Sequence, residues 1–203
     1  MHLAGQISFW LPYLGIEIIL LVLLFFWLFK KDFFDRFLKI SSLAVAGLVI
    51  LSWASQIILT YFSLKSSDLG PYLISGKNSF FANQAISISK EFLMVFVLAL
   101  FFYFLVYFVY KRQKRPIFNE NSATIFFISI LALSSIRLLN FIPGLISAFI
   151  LAILWQIVLK ISRKEKSENR VDIIPCLLIS AAIIEILSLF PFYFQFLIWA
   201  RLI

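Results

Sequence analysis

The stretch Ala123–Ile161, ATIFFISILALSSIRLLNFIPGLISAFILAILWQIVLKI, decides how the chain is read. As one helix rising 1.5 Å per residue it would be roughly 58 Å long, about twice the hydrocarbon core of a bilayer. In its middle stands Asn140-Phe141-Ile142-Pro143-Gly144. Proline removes a backbone donor and disfavours helix at the residue before it, while glycine permits a reversal. The stretch therefore reads as two spanning helices, 123–140 and 144–161, joined by a tight hairpin.

Working outward, four more apolar runs approach or exceed the roughly 20 residues that a spanning helix needs. They cover about 9–29, 40–64, 92–110 and 173–199. The first has no basic region before it and no small-residue cleavage site after it, so it reads as a retained helix. Between the second and third runs lies a polar, turn-rich stretch, Lys65–Ser89, with Asp68-Leu69-Gly70-Pro71 and Ser75-Gly76-Lys77-Asn78. Pro175 falls in the first turn of the last run, and Pro191 predicts a kink in it. The expected fold is all-α: a single polytopic transmembrane bundle over residues 1–203, with six spanning helices and a hairpin between the fourth and fifth.

Charge supports that division. With six helices, the loops 30–39, 111–122 and 160–172 share one membrane face and carry four, four and five Lys/Arg. Lys65, Lys77, Lys90, Arg137 and Arg201 fall to the other face. A single helix over 123–161 would move the last loop across and leave eight against eight, with Arg137 and Arg201 set aside. The positive-inside rule favours the uneven division, with both termini on the less basic face.

Composition agrees. Of 203 residues 63% are hydrophobic and 14% charged, where soluble domains have about 45–50% and 25%. One short globular core could not hide so much apolar surface, so lipid is the expected partner over much of it. The net charge of +8 comes from short basic runs between apolar segments. This is the pattern of membrane faces and excludes nucleic acid as a partner. One cysteine, Cys176, and one histidine, His2, leave no paired-thiol metal site, no bound cofactor and no catalytic triad. The 25 phenylalanines use A/T-rich codons, pointing to an organellar genome and the mitochondrial inner membrane, with a bacterial plasma membrane as the alternative.

Ionisable residues inside spans are functional candidates, because burying one costs about 2.5–3.5 kcal/mol on insertion scales. Glu17 and Glu185 lie near the middles of the first and last helices, and Arg137 lies one turn before the hairpin. They read either as a proton relay, since burial favours the neutral carboxyl, or as interhelical polar contacts. For Arg137, snorkelling to the interface is the simpler role. Lys90 and Glu91 open the third helix as adjacent residues, which do not face each other, and read as membrane-edge anchors. Because the two glutamates lie at opposite ends of the chain, Glu185 is expected to be a polar packing contact to a partner subunit. Ser52, Ser55, Gln56, Ser134, Ser135 and Gln156 can hydrogen-bond between helices. No P-loop, dinucleotide fingerprint or zinc spacing occurs, and no residue is assigned a catalytic role.

The order of helices and loops resembles the N-terminal half of subunit 2 of respiratory NADH dehydrogenase (complex I), an antiporter-like membrane subunit. Leu11-Pro12 matches its proline-containing start, and Gly76, Phe80 and Lys90 match the spacing of its loop motif, with Asn83 in place of the acid. Glu120 matches the glutamate that opens its fourth helix, and Asn140–Gly144 its short polar turn. The resemblance implies a non-redox membrane subunit of a proton-translocating complex, surrounded by other membrane subunits. Two departures bear on that. The region matching the family's helix-five glutamate, Ser147–Leu151, has no acid, and the chain stops after six helices. The resemblance thus implies a shortened or split subunit without a complete proton path of its own. Ser135-Ile136-Arg137-Leu138 with Asn140 and Gly144, and Glu185 with Tyr193 and Gln195, look instead like subunit a of the rotary ATP synthase. Here, however, Asn140 follows the arginine by three residues, where that family has four. A small transporter or a purely structural membrane subunit is the third expectation.

Overall fold

In a computed structural model of the chain, residues 2–76, 79–112, 118–136, 140–162 and 173–188 are described, with Phe190, Tyr193 and Gln195. Among them the fold is all-helical. It comprises α1 (His2–Phe29), α2 (Lys31–Lys65), α3 (Gly70–Ile74), α4 (Phe80–Arg112), α5 (Ser122–Ile136), α6 (Phe141–Ser162) and α7 (Ile173–Ser188). Four segments are long and apolar enough to cross a membrane: Pro12–Phe29, Phe33–Lys65, Phe80–Arg112 and Phe141–Val158. They mark an integral membrane protein. The apolar helices α5 and α7 are shorter as described; α5, with 15 residues, spans roughly 22 Å.

Helix ends depart from the apolar runs. The chain breaks at Lys30 (φ −144°, ψ 71°), and α2 starts at Lys31 rather than near Ile40. The helix thus continues past the residues that lipid can cover, and α4 likewise begins at Phe80, ahead of its apolar run. Gly76, at φ 97°, adopts a left-handed conformation that side chains disfavour and so turns the chain. Ser79 then caps the new helix, its Oγ accepting from Ala82 N–H at 3.2 Å. Lys90 and Glu91 therefore lie inside α4 and do not open it. Pro143 and Gly144 stand in the first turn of α6 rather than in the connection. A proline there forfeits only an N–H that has no partner within its own helix. Arg137, Pro191 and the part of the last helix beyond Gln195 lie outside the described residues.

The helices pack around α5, which touches α1, α2, α4, α6 and α7. It is apolar all round and buried all round, with Ile125, Ile128, Ile130, Leu131 and Leu133 fully enclosed. Further contacts join α1 to α2 and α7, α2 to α4, and α6 to α7. At one end of the bundle Asn121 Nδ2 donates to Asp35 Oδ1 at 2.5 Å, tying the start of α5 to that of α2. The outward faces carry large apolar side chains, among them Ile18, Phe25, Ile58, Val97, Phe104 and Phe149. Every residue from Ile153 to Val158 of α6 is exposed, so that stretch of the helix is uncovered on all sides.

Candidate functional site

Tyr13 and Glu17 are one helical turn apart and so lie on the same face of α1. Ser52 and Gln56 repeat that spacing on α2. The two faces meet at the Tyr13 hydroxyl, which is 3% exposed and accepts from Ser52 Oγ at 2.9 Å and Gln56 Nε2 at 3.2 Å. Ser52 and Gln56 thus bond across to α1, as their sequence context predicts. Ser55 turns back to its own helix, donating to the Ser52 carbonyl at 2.8 Å.

On the third side stands α7. Glu185 is 1% exposed, and both of its carboxyl oxygens lack a hydrogen-bond partner among the described residues. The carboxyl oxygens of Glu17 are likewise buried and unpartnered there. Glu185 lies within electrostatic reach of both Glu17 and Tyr13. α1 packs directly on α7, although the two helices come from opposite ends of the sequence. This corrects the expectation for Glu185: a carboxyl so deeply enclosed is not at a surface where a partner subunit could meet it.

No compensating cation stands nearby among the described spans. From Pro12 through Phe29, from Ile40 through Leu64, and along α5, α6 to Val158 and α7, there is no Lys, Arg or His. An ionised carboxylate without a partner is among the costliest groups to bury, so the pair has to be neutralised by something it binds. Among the described residues there is no cluster of three or more His, Cys, Asp or Glu to hold a metal ion.

The other sequence candidates lie elsewhere. Lys90 and Glu91 are exposed on α4, which touches neither α1 nor α7. Arg137 is outside the described residues. Two features were not foreseen. One is Tyr13, for which the available signal is a tyrosine one turn before an acid inside an apolar run. The other is a small-residue seam between α6 and α7, where Ser180 Oγ donates to the Gly144 carbonyl at 2.6 Å and Ser147 Oγ donates to it at 3.0 Å. The two hydroxyls also contact each other.

No family model, no curated protein and no solved structure matches the chain.

Proposed function

We propose that the chain is an antiporter-like membrane-arm subunit of a respiratory proton-translocating complex, of the kind the subunit 2 resemblance implies. In this reading six apolar helices span the mitochondrial inner membrane, with a tight hairpin between the fourth and fifth. The chain binds no cofactor of its own and works among other membrane subunits.

The observation that carries the reading is the presence of two acids inside an apolar bundle, Glu17 and Glu185, whose carboxyl oxygens are buried without a hydrogen-bond partner among the described residues. Intramembrane acids are retained at such expense chiefly where protons or ions are handled. The uncovered stretch of α6 supports membership of an assembly, because Gln156 stands exposed within it. A polar side chain there gains by meeting a neighbouring helix. The start of α6 at Phe141, with Pro143 and Gly144 in its first turn, favours this reading over the ATP synthase one. That alternative wants the arginine midway along a single long helix.

Purification of the chain from its own membranes in mild detergent tests the proposal. Iron–sulfur and flavin subunits are expected to accompany it. A ring of small hairpin subunits would transfer the chain to the ATP synthase, and recovery as a lone homo-oligomer would refute the subunit reading altogether.

A further inference from the structure

We infer that the outward face of α4 seats an anionic phospholipid, its acyl chains lying on Phe101, Phe104, Leu105 and Phe108 and its phosphate on Lys111 and Arg112. This requires only that α4 crosses the bilayer, so it goes beyond the proposed function and does not depend on the identity of the assembly.

Among the described helices α4 touches α2, α3 and α5, and it turns the buried Val95, Ala99 and Val106 toward them. Phe101, Phe104, Leu105, Phe108, Lys111 and Arg112 follow one another at helical spacings of three and four, so they form one stripe, and all six are exposed. From Glu91 to Lys111 the helix rises roughly 30 Å, the thickness of a hydrocarbon core. Lys111 thus stands at one boundary of the core, and Lys90 with Glu91 at the other. The boundaries differ in charge. Lys90 and Glu91 offset each other, whereas Lys111 and Arg112 add, and neither of these two makes an ion pair with an acid among the described residues. Phe101 lies roughly 15 Å from Lys111 along the helix, so the aromatic part of the stripe occupies the depth of one leaflet. Its exposed apolar side chains alone would accept any lipid, but two unpaired cations at their head favour one with a net negative headgroup. Lys111 is also held in place. Its ammonium lies 4.7 Å from the centre of the Tyr107 ring, which stacks on Tyr103 at 6.2 Å, and Tyr103 meets Phe127 of α5 edge-on at 6.3 Å. A ladder of rings fastened to the central helix therefore steadies the lysine, which loses less freedom on binding than an unsupported one. It keeps donors to spare for phosphate oxygens, and the guanidinium of Arg112 can engage two at once. Cations in a last turn also suit the helix dipole, but that role carries no lipid preference.

A bimane fluorophore on Phe108→Cys, in a Cys176→Ser background of the full chain, reports which lipid touches the stripe. The chain is reconstituted in vesicles of equal phosphatidylcholine and phosphatidylglycerol, with brominated, quenching acyl chains on one lipid or the other. Each cation beside an anionic headgroup is worth about fivefold in affinity. Quenching at position 108 is therefore expected to show phosphatidylglycerol enriched about fivefold or more, and salt at about 1 M should lower the enrichment, because charges are then screened within about 3 Å. A bimane on Val97→Cys, in the half of the stripe nearer Lys90 and Glu91, should show no preference. Lys111→Gln with Arg112→Gln should bring the ratio at 108 to about one, while Lys111→Arg should keep it. Both glutamines fall at exposed positions, and unaltered quenching at 97 in that double variant shows that α4 still spans. An equal preference at 97 and 108, no preference at 108, or one that survives the double substitution would overturn the inference. So would protection of 108 from both lipids, which would place a second copy of the chain on this face.

Discussion

Replacing Gly144 by alanine tests whether the start of α6 is fitted against α5 as closely as the structure has it. A Cβ added there would lie 2.4 Å from Leu133 Cδ1, 2.8 Å from Cδ2 and 3.1 Å from Cγ. Comfortable carbon contacts are about 3.5–4.0 Å, so roughly an ångström of movement is needed. Rotating the Leu133 terminus only exchanges one offending methyl for the other, and that side chain is 1% exposed within the helix at the bundle's centre. α6 would have to shift, disturbing the bond from Ser180 on α7 to the Gly144 carbonyl. Overpacking of this kind costs about 1–3 kcal/mol. The helix preference of alanine over glycine returns less than about 1 kcal/mol. A net loss of about 1–2 kcal/mol corresponds to a melting temperature lower by roughly 2–8 °C for a chain of this size. The single cysteine, Cys176, is 5% exposed on α7, so a thiol-reactive fluorophore in detergent reports unfolding without further engineering. In a Leu133→Ala background the obstructing atoms are gone, and Gly144→Ala should be close to neutral, a coupling of about 1–3 kcal/mol. Equal losses in both backgrounds would show that Gly144 and Leu133 do not meet and would refute the packing argument.

Three further outcomes follow from the same architecture. Tyr13→Phe leaves Ser52 and Gln56 without their shared acceptor; at about 0.6 kcal/mol per interhelical bond, the melting temperature should fall by a few degrees. An unchanged value would mean that those bonds contribute nothing to holding α1 on α2. Single cysteines at Arg36 and Glu120, in a Cys176→Ser background, should react with an impermeant thiol reagent from one side of the membrane, and a cysteine at Asp68 from the other. Labelling of all three from one side would break the proposed six-span arrangement. Arg137→Ala should leave NADH oxidation by the purified assembly largely intact, whereas loss of ATP synthesis with normal NADH oxidation would favour the rotary-enzyme reading.

The helical class was legible because lipid as solvent imposes a coarse rule: long apolar runs become helices that satisfy their own backbone. Helix ends were not. The Lys31–Lys39 and Phe80–Lys90 segments are too polar for a hydropathy reading to include, yet both are helical, and Ser79 caps one of them. Lateral order was hidden as well. α5 and α6 are similarly apolar, but α5 is enclosed on every side while α6 is bare over Ile153–Val158. In water a helix shows its buried face by amphipathicity; where lipid covers the outside, inner and outer faces are both apolar and the sequence does not distinguish them. What marks the inside here is size and fit, as at Gly144 beside Leu133, and that is read from the packed bundle.

The same reasoning explains why the candidate site was half visible. Glu17 and Glu185 stand out one at a time, because an acid within an apolar run is rare and costly wherever it points. Their enclosure in one bundle depends on α7 returning to pack beside α1, a contact between segments at opposite ends of the chain that no local pattern encodes. Reading the two acids by their separation in sequence made Glu185 a contact for a partner. Reading them by burial encloses both, with Tyr13 as the link from α1 to α2. Ordinary polar glue between membrane helices consists of matched donors and acceptors, like Ser180 on the Gly144 carbonyl. The carboxyl oxygens of Glu17 and Glu185, by contrast, meet no donor among the described residues. The absence of donors, more than burial itself, separates these acids from the structural polar residues around them.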